Sequence, residues 1–441
     1  MAHEVAGAPS AAPAVREGGR IFYGYWLIGA AFVAQFVSVG SQNYVVGAFL
    51  KPMTTDLGWT RSEFTISRTV AQVIMAFTGF FIGAHVDRHG GRRLMLIGIV
   101  ILSASLYGLS FVNELWQWIA VNGLIMTVGA AMIGNLVVNV TLSKWFVEKR
   151  GIAVALASMG VSMAGVLLTP AMTRVIDEWG WRAGWRWMGV GSLICIVPVA
   201  LIMRRAPEDH GLHPDGRTTA QVAAGAGERA RVDFAASFTR HEALRTFSFY
   251  MLVFSFGMFG LTIGVMLLHT IPFMTDAGHS RSTAAFMITL ASIPALVSKP
   301  FWGLLMDKTD PKRLASASAL ITGASILVIT LSVRADNDPV IWTGFLLLGF
   351  GWGGMIPLQE LIWATFFGRR HLGSVRSAGL PFSLFLGAGA PLLVSEYVDR
   401  VGDYDGAFFT VAGLNLAAAV LLMFIRKPVR RAPAAEAEAA A

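Results

Sequence analysis

The sequence predicts an all-α membrane protein of twelve transmembrane helices, built as two parallel six-helix repeats with both termini cytoplasmic. Three observations carry that expectation. Of the 441 residues, 55% are hydrophobic and only 14% charged, whereas a water-soluble chain carries charge on about a quarter of its residues. The apolar residues gather into twelve runs, each near the roughly 20 residues a helix needs to cross a bilayer. Finally, two short polar interruptions recur at a fixed interval. "GAHVDRHGGRR" (83–93) and "GLLMDKTDPKR" (303–313) place Asp87 and Asp307, and likewise Arg93 and Arg313, 220 residues apart.

The runs lie at about 24–50, 63–86, 94–112, 116–143, 151–176, 186–203, 247–273, 282–305, 314–333, 340–366, 373–398 and 405–425. Glycine-rich interiors such as "GLIMTVGAAMIG" weaken a soluble helix but allow close helix contact in lipid, so they fit membrane spans. Residues 1–20 contain no apolar signal region and read as a disordered Ala/Pro tail. Residues 428–441, ending "RRAPAAEAEAAA", read the same way. Between the tails the expected divisions are a first six-helix half (21–205), a polar cytoplasmic linker (206–245) and a second six-helix half (246–427).

Orientation follows from the basic residues. Of 35 Lys and Arg, 24 fall in the tails and loops on the side of the N-terminus and 8 in the alternate loops. Basic residues are retained on the cytoplasmic side, so both termini are expected there. The formal charge of +8 is thus a topology signal, and no nucleic-acid partner is expected. The repeat extends well beyond the two opening stretches. At offset 220, Pro52 meets Pro272, Asp56 meets Asp276, Gly58 meets Gly278 and Gly83 meets Gly303; at offset 222, Gly151 meets Gly373 and Gly180 meets Gly402. Six spans per half give the halves the same orientation, related by an axis along the membrane normal.

The glycines of the 83–93 stretch allow a tight turn, and Arg88, Arg92 and Arg93 hold it at the surface, since charge at the bilayer centre is costly. Asp87 does not serve topology. It is expected to bind the positive N-terminal end of a neighbouring helix, together with nearby arginines. It would thereby latch helices in one conformation and release them in another, with Asp307 as its copy. "GAHVDRHGGRR" resembles the Gly-x-x-x-Asp-(Arg/Lys)-x-Gly-x-(Arg/Lys)-(Arg/Lys) signature of the major facilitator superfamily, and "GLLMDKTDPKR" is similar to its degenerate second copy. That resemblance spans nearly the whole chain and implies alternating access, two halves rocking about a central site. The words "YGYW", "LKPMTTDLGWTRSEF", "KWFVEKRGIAVALASMG", "HTIPFMTDAGHS" and "FFGRRHLGS" are similar to bacterial members of the monocarboxylate porter and oxalate:formate antiporter branch. Membership there implies transport of a small organic anion across the bacterial inner membrane, by proton coupling or anion exchange, by a chain that functions as a monomer.

Three basic residues remain inside predicted spans: Arg68, Lys299 and Arg376. Lys299 lies eight residues before Asp307, about 12 Å up the helix, near the depth at which carriers bind substrate. The resembling porters hold an Arg-Pro there to grip a carboxylate; this chain has Lys299-Pro300, a point charge in place of a fork. Arg376 is divided between substrate contact and a cytoplasmic gate, and Arg68 between an outer gate and a pair with Glu63, the pair being favoured. Gln42, Asn43, Tyr44, Asn135, Asn139 and Gln359 are the polar candidates around the site. As a set they suit a small polar ligand better than a greasy one. Two departures from the mammalian-type pattern stand out: the span-one lysine is Tyr44, and the aspartate before the span-eight cation is Ala295. Proton coupling therefore falls to Glu360 and His269, a buried carboxyl and an imidazole that titrates near neutrality.

Two other readings compete. A polyspecific drug/proton antiporter would more naturally place a buried acid than Lys299 against a cationic drug. A membrane-embedded enzyme would need a gathered nucleophile–base pair or metal cluster. With one cysteine, Cys195, there is no Cys-x-x-Cys, and no Walker-type loop is present. No metal or cofactor is expected.

Overall fold

The computed structural model describes residues 22–223, 234–382 and 389–429. The expected disordered tails fall almost wholly outside these residues. Among the described residues there is no strand, and eleven helices are long and apolar enough to cross a membrane. They are α1 (Tyr23–Phe49), α2 (Arg61–His89), α3 (Arg92–Phe111), α4 (Leu115–Trp145), α5 (Arg150–Leu168), α6 (Arg174–Ile202), α7 (Phe247–Asp276), α8 (Arg281–Met306), α9 (Pro311–Arg334), α10 (Asp338–Phe367) and α13 (Asp405–Phe424). The eleventh predicted run, 373–398, appears as two shorter helices, α11 (Leu372–Ala378) and α12 (Ala390–Val401); residues between them lie outside the described set.

Local chemistry sets the helix ends. Thr60 caps α2 by accepting from the Glu63 amide, and Glu63 bonds back to Thr60. At the matching position Ser280 caps α8 through the Thr283 amide. Such caps satisfy donors that a helix start leaves open. Gly58 (φ 69°) and Gly278 (φ 94°) take the same left-handed turn, which costs glycine no Cβ clash. Gly180 (φ 81°, ψ 163°) breaks the helical stretch from Thr169 to Ile202 inside α6, between the sequence runs 151–176 and 186–203.

Phe81, Ile194, Val297, Leu393 and Phe424 are each between 67% and 78% exposed, an outer surface suited to lipid and not to water. Inside, corresponding helices pair: α3 packs on α4 and α6, and α9 on α10 and α13. The two groups meet through α2 against α11 and α5 against α8. Their buried side chains form two clusters. One runs through α1–α6 and continues into the ends of α7–α13 nearest Asp87, for example Phe249, Trp302, Trp363 and Leu372. The other, around Phe273, Met287, Phe345 and Phe408, stays within the opposite end of α7–α13. The helix groups therefore share a core at the Asp87 end and separate cores at the other.

Candidate functional site

Between the groups lies a cavity of about 350 Å³, lined from α1, α2 and α4 on one side and α10 and α11 on the other. Its walls carry two cations, Arg68 and Arg376, and one acid, Glu360, among amides that include Gln42, Asn43, Asn135 and Gln359. Residues Gly40–Tyr44 of α1 form a π turn, with the Val45 amide bonded to the Gly40 carbonyl at 3.0 Å. π turns disrupt the regular carbonyl ladder and recur at functional sites. Here the Gln42 carbonyl accepts from the Arg68 guanidinium at 2.9 Å and Asn43 Oδ1 accepts from it at 3.0 Å. Arg68 thus meets neutral oxygens and, among the described residues, no carboxylate. Opposite it, the half-buried Arg376 and the buried Glu360 lie 3.4 Å apart. A break in α4 at Gly134 (ψ −166°) starts a new helix at Asn135 and turns that amide to the cavity wall.

Several expected site residues lie elsewhere. Lys299 does not line this cavity: it is buried between α8 and α5, donating to the Ser158 carbonyl at 2.6 Å and to Ser162 Oγ at 2.8 Å. Tyr44 packs against Gly165 of α5, where an added Cβ would meet its ring at 2.6 Å. Asn139 is buried next to Glu360 and does not line the cavity itself, accepting from Gln35 Nε2 at 3.0 Å. His269 bonds to the Pro391 carbonyl at 3.0 Å beside Tyr404, in the second apolar cluster. The favoured Arg68–Glu63 pair does not form, because the Glu63 carboxylate is held by Thr60 at its helix start. Gln72 and Asn122 line the cavity without having been singled out; Gln72 sits one turn after Arg68, a spacing that shares a helix face.

The Asp87 end is closed by two contacts. The Asp87 carboxylate accepts from the Gly373 amide (3.1 Å), the Ser374 amide (2.7 Å) and the Ser374 hydroxyl (2.8 Å), and lies 3.1 Å from Lys144 Nζ. Asp307 accepts from the Gly151 amide (2.7 Å) and the Ile152 amide (3.1 Å). Each acid therefore sits on a helix start in the other helix group. The cation paired with Asp87 is Lys144 of α4, and not an arginine of its own loop; Arg92 and Arg93 are exposed. At the opposite end, His279, Asp336 and Asp338 bring one ligand atom each within 4.8 Å of the others, a grouping the chain spacing does not reveal.

A chain of apolar spanning helices, closed at one end around a polar, charged cavity, is a membrane carrier for small molecules. It belongs to the Major Facilitator Superfamily, whose model matches residues 31–375 and 265–441. Among curated relatives it is similar to monocarboxylate transporter 3 of Rattus norvegicus, 25% identical over 95% of this chain and 82% of that one. It is also similar to the oxalate:formate antiporter of Oxalobacter formigenes, 23% identical over 91% of each chain. Among solved structures, the proton:xylose symporter XylE superposes with a TM-score of 0.74 at 12% identity, covering 92% of this chain and 96% of that one; it shares the fold.

Proposed function

We propose that this protein is a secondary active transporter for a small organic anion of the monocarboxylate or short dicarboxylate class, working by alternating access in the bacterial inner membrane. The observation that carries the reading is Arg68, a cavity-facing guanidinium whose partners are neutral oxygens. With Arg376 and Glu360 pairing across the way, the cavity keeps one positive charge for a ligand. A guanidinium fork suits a carboxylate in geometry as well as charge. The names of two relatives, a monocarboxylate transporter and an oxalate:formate antiporter, support the same class.

In this reading both termini are cytoplasmic, the Asp87 end is the cytoplasmic end, and the conformation described faces outward. The halves 21–205 and 246–427, tied by the 206–245 linker, rock so that the α2–α11 and α5–α8 contacts part. Lys299 then leaves Ser158 and Ser162 and enters an inward-facing cavity, so that anion contact passes from Arg68 toward Lys299 during transport. Glu360 is the coupling acid: a proton on it frees Arg376 for the anion, and loss of that proton restores the pair. His269 stands apart from this route. The buried Glu360 also gives the drug/proton antiporter its one supporting feature, although Arg376 already neutralises it.

Uptake by proteoliposomes decides between these readings. Labelled oxalate and formate are expected to accumulate and labelled tetraphenylphosphonium is not. Arg68→Ala is expected to abolish anion uptake while leaving the protein folded, and Glu360→Gln to keep exchange but lose the response to an imposed pH gradient. Tetraphenylphosphonium uptake without anion uptake would replace the anion reading with the antiporter.

A further inference from the structure

A second cavity, of about 750 Å³ and with no lining residue in common with the first, opens at the Asp87 end. Six Lys and Arg side chains line it against three carboxylates, and the carboxylates are already engaged. Asp87 is held by the start of α11 and by Lys144. Glu208 bonds to Arg369 at 2.6 Å. Arg205 donates to Asp209 at 2.7 Å, and this pairing holds the Asp209 carboxyl below the usual carboxylate range. Among the described residues, Arg88, Arg240 and Arg370 are left without a carboxylate partner. Arg240 spends donors on the carbonyls of Ser374 and Phe80, and Arg370 lies over the Phe234 ring. The cavity thus carries an excess of three positive charges, and His371 stands beside them.

These three arginines come from three parts of the chain. Arg88 ends α2, Arg240 belongs to the linker, and Arg370 precedes α11. A walled recess lined by one sign of charge concentrates counter-ions. Arginine forks match the oxygens of phosphate better than they match a monovalent halide. The volume lies within the range of small-molecule pockets. We propose that this recess is a binding site for a phosphate-type oxyanion, supplied either as a soluble phosphate or as the headgroup of an anionic lipid. Bound there, the oxyanion bridges both helix groups and the linker and favours the arrangement in which this end is closed. Its binding does not depend on what the central cavity transports.

The test is thermal unfolding of the purified protein in a neutral detergent. Inorganic phosphate is compared with sodium chloride at matched ionic strength, and short-chain phosphatidic acid with short-chain phosphatidylcholine. Because a ligand that binds the folded state stabilises it by mass action, a saturating oxyanion is expected to raise the melting temperature by about 2 °C or more. The exposed Arg370 is the first substitution: Arg370→Ala should remove most of the shift, and Arg370→Lys should keep part of it. Arg88→Ala is the second, read only if its melting temperature in chloride matches the parent's. A shift with phosphatidic acid and not with phosphate identifies the oxyanion as a headgroup; a shift with both identifies a soluble ligand as sufficient. No shift with either, or a full shift retained in Arg370→Ala, overturns the site.

Discussion

The two contacts that join the helix groups are built on one plan and filled differently. In the first, α2 meets α11 so closely that a Cβ on Gly83 would lie 2.1 Å from the Gly373 carbonyl. In the second, α8 meets α5, and a Cβ on Gly151 would lie 2.8 Å from the Gly303 carbonyl. Each has an acid, Asp87 or Asp307, accepting from the amides that open the opposing helix. Deeper in the membrane the plan diverges. Gly79 packs against Leu380, where a Cβ would lie 2.2 Å from a leucine methyl. The repeat-matched positions are Lys299 and Ser158, and there an ammonium donates to a carbonyl. Backbone approach and helix-end chemistry are common to both contacts. The membrane-depth layer is apolar in one contact and polar in the other.

The sharpest way to break the comparison is Gly83→Ala. The nearest obstacle is a backbone carbonyl, which cannot swing aside, and overpacking of this kind costs about 1–3 kcal/mol. Transport should be largely lost. A cysteine at the buried Ser377 position, in a Cys195→Ser background, should become open to a thiol reagent; continued protection would show that the contact tolerates the methyl. Asp87→Asn should come next. It removes the charge facing Lys144 and weakens the charge-assisted bonds to α11, a loss of about 2 kcal/mol in the closed arrangement. The protein should insert normally and transport much more slowly, and wild-type rates at equal expression would remove Asp87 from the cycle.

Gly303→Ala tests whether the second contact is the looser copy. Its Cβ would meet the Ala155 methyl at 2.7 Å and Ile152 Cα at 2.9 Å, an overlap smaller than the 2.1 Å approach at Gly83. A partial loss of transport is expected, smaller than for Gly83→Ala in the same uptake assay; equal losses would make the two contacts equivalent. The smallest effect, on stability, belongs to Lys299→Met. Lys299 meets neutral oxygens, so an apolar side chain of similar length removes the desolvation cost of a buried cation along with two hydrogen bonds, and the melting temperature should hold or rise while anion transport falls. A large drop in melting temperature would make Lys299 a structural pin between α5 and α8 and remove it from the transport route.

Much of the fold was legible because each span carries its own evidence. Length, apolarity and helix-end residues are local, and Thr60, Ser280, Gly58 and Gly278 act within a few residues of themselves. The matched turns at Gly58 and Gly278 were legible for the same reason, since the same left-handed conformation needs the same residue. Arg68 and Arg376 could be singled out as intramembrane charges, because lipid makes any charge conspicuous.

Partners were another matter. The chain aligns Gly83 with Gly303 and Gly151 with Gly373, but in space Gly83 meets Gly373 and Gly303 meets Gly151. Nothing along the sequence says that Asp87 takes Lys144, that Arg68 turns from Glu63 to the Gln42 carbonyl, or that Lys299 faces serines and not the cavity. Helical periodicity tells which residues share a face. Which neighbour that face meets, and whether a charge finds an acid, a carbonyl or an open cavity, depends on how the two helix groups close on each other, and only the tertiary structure decides that.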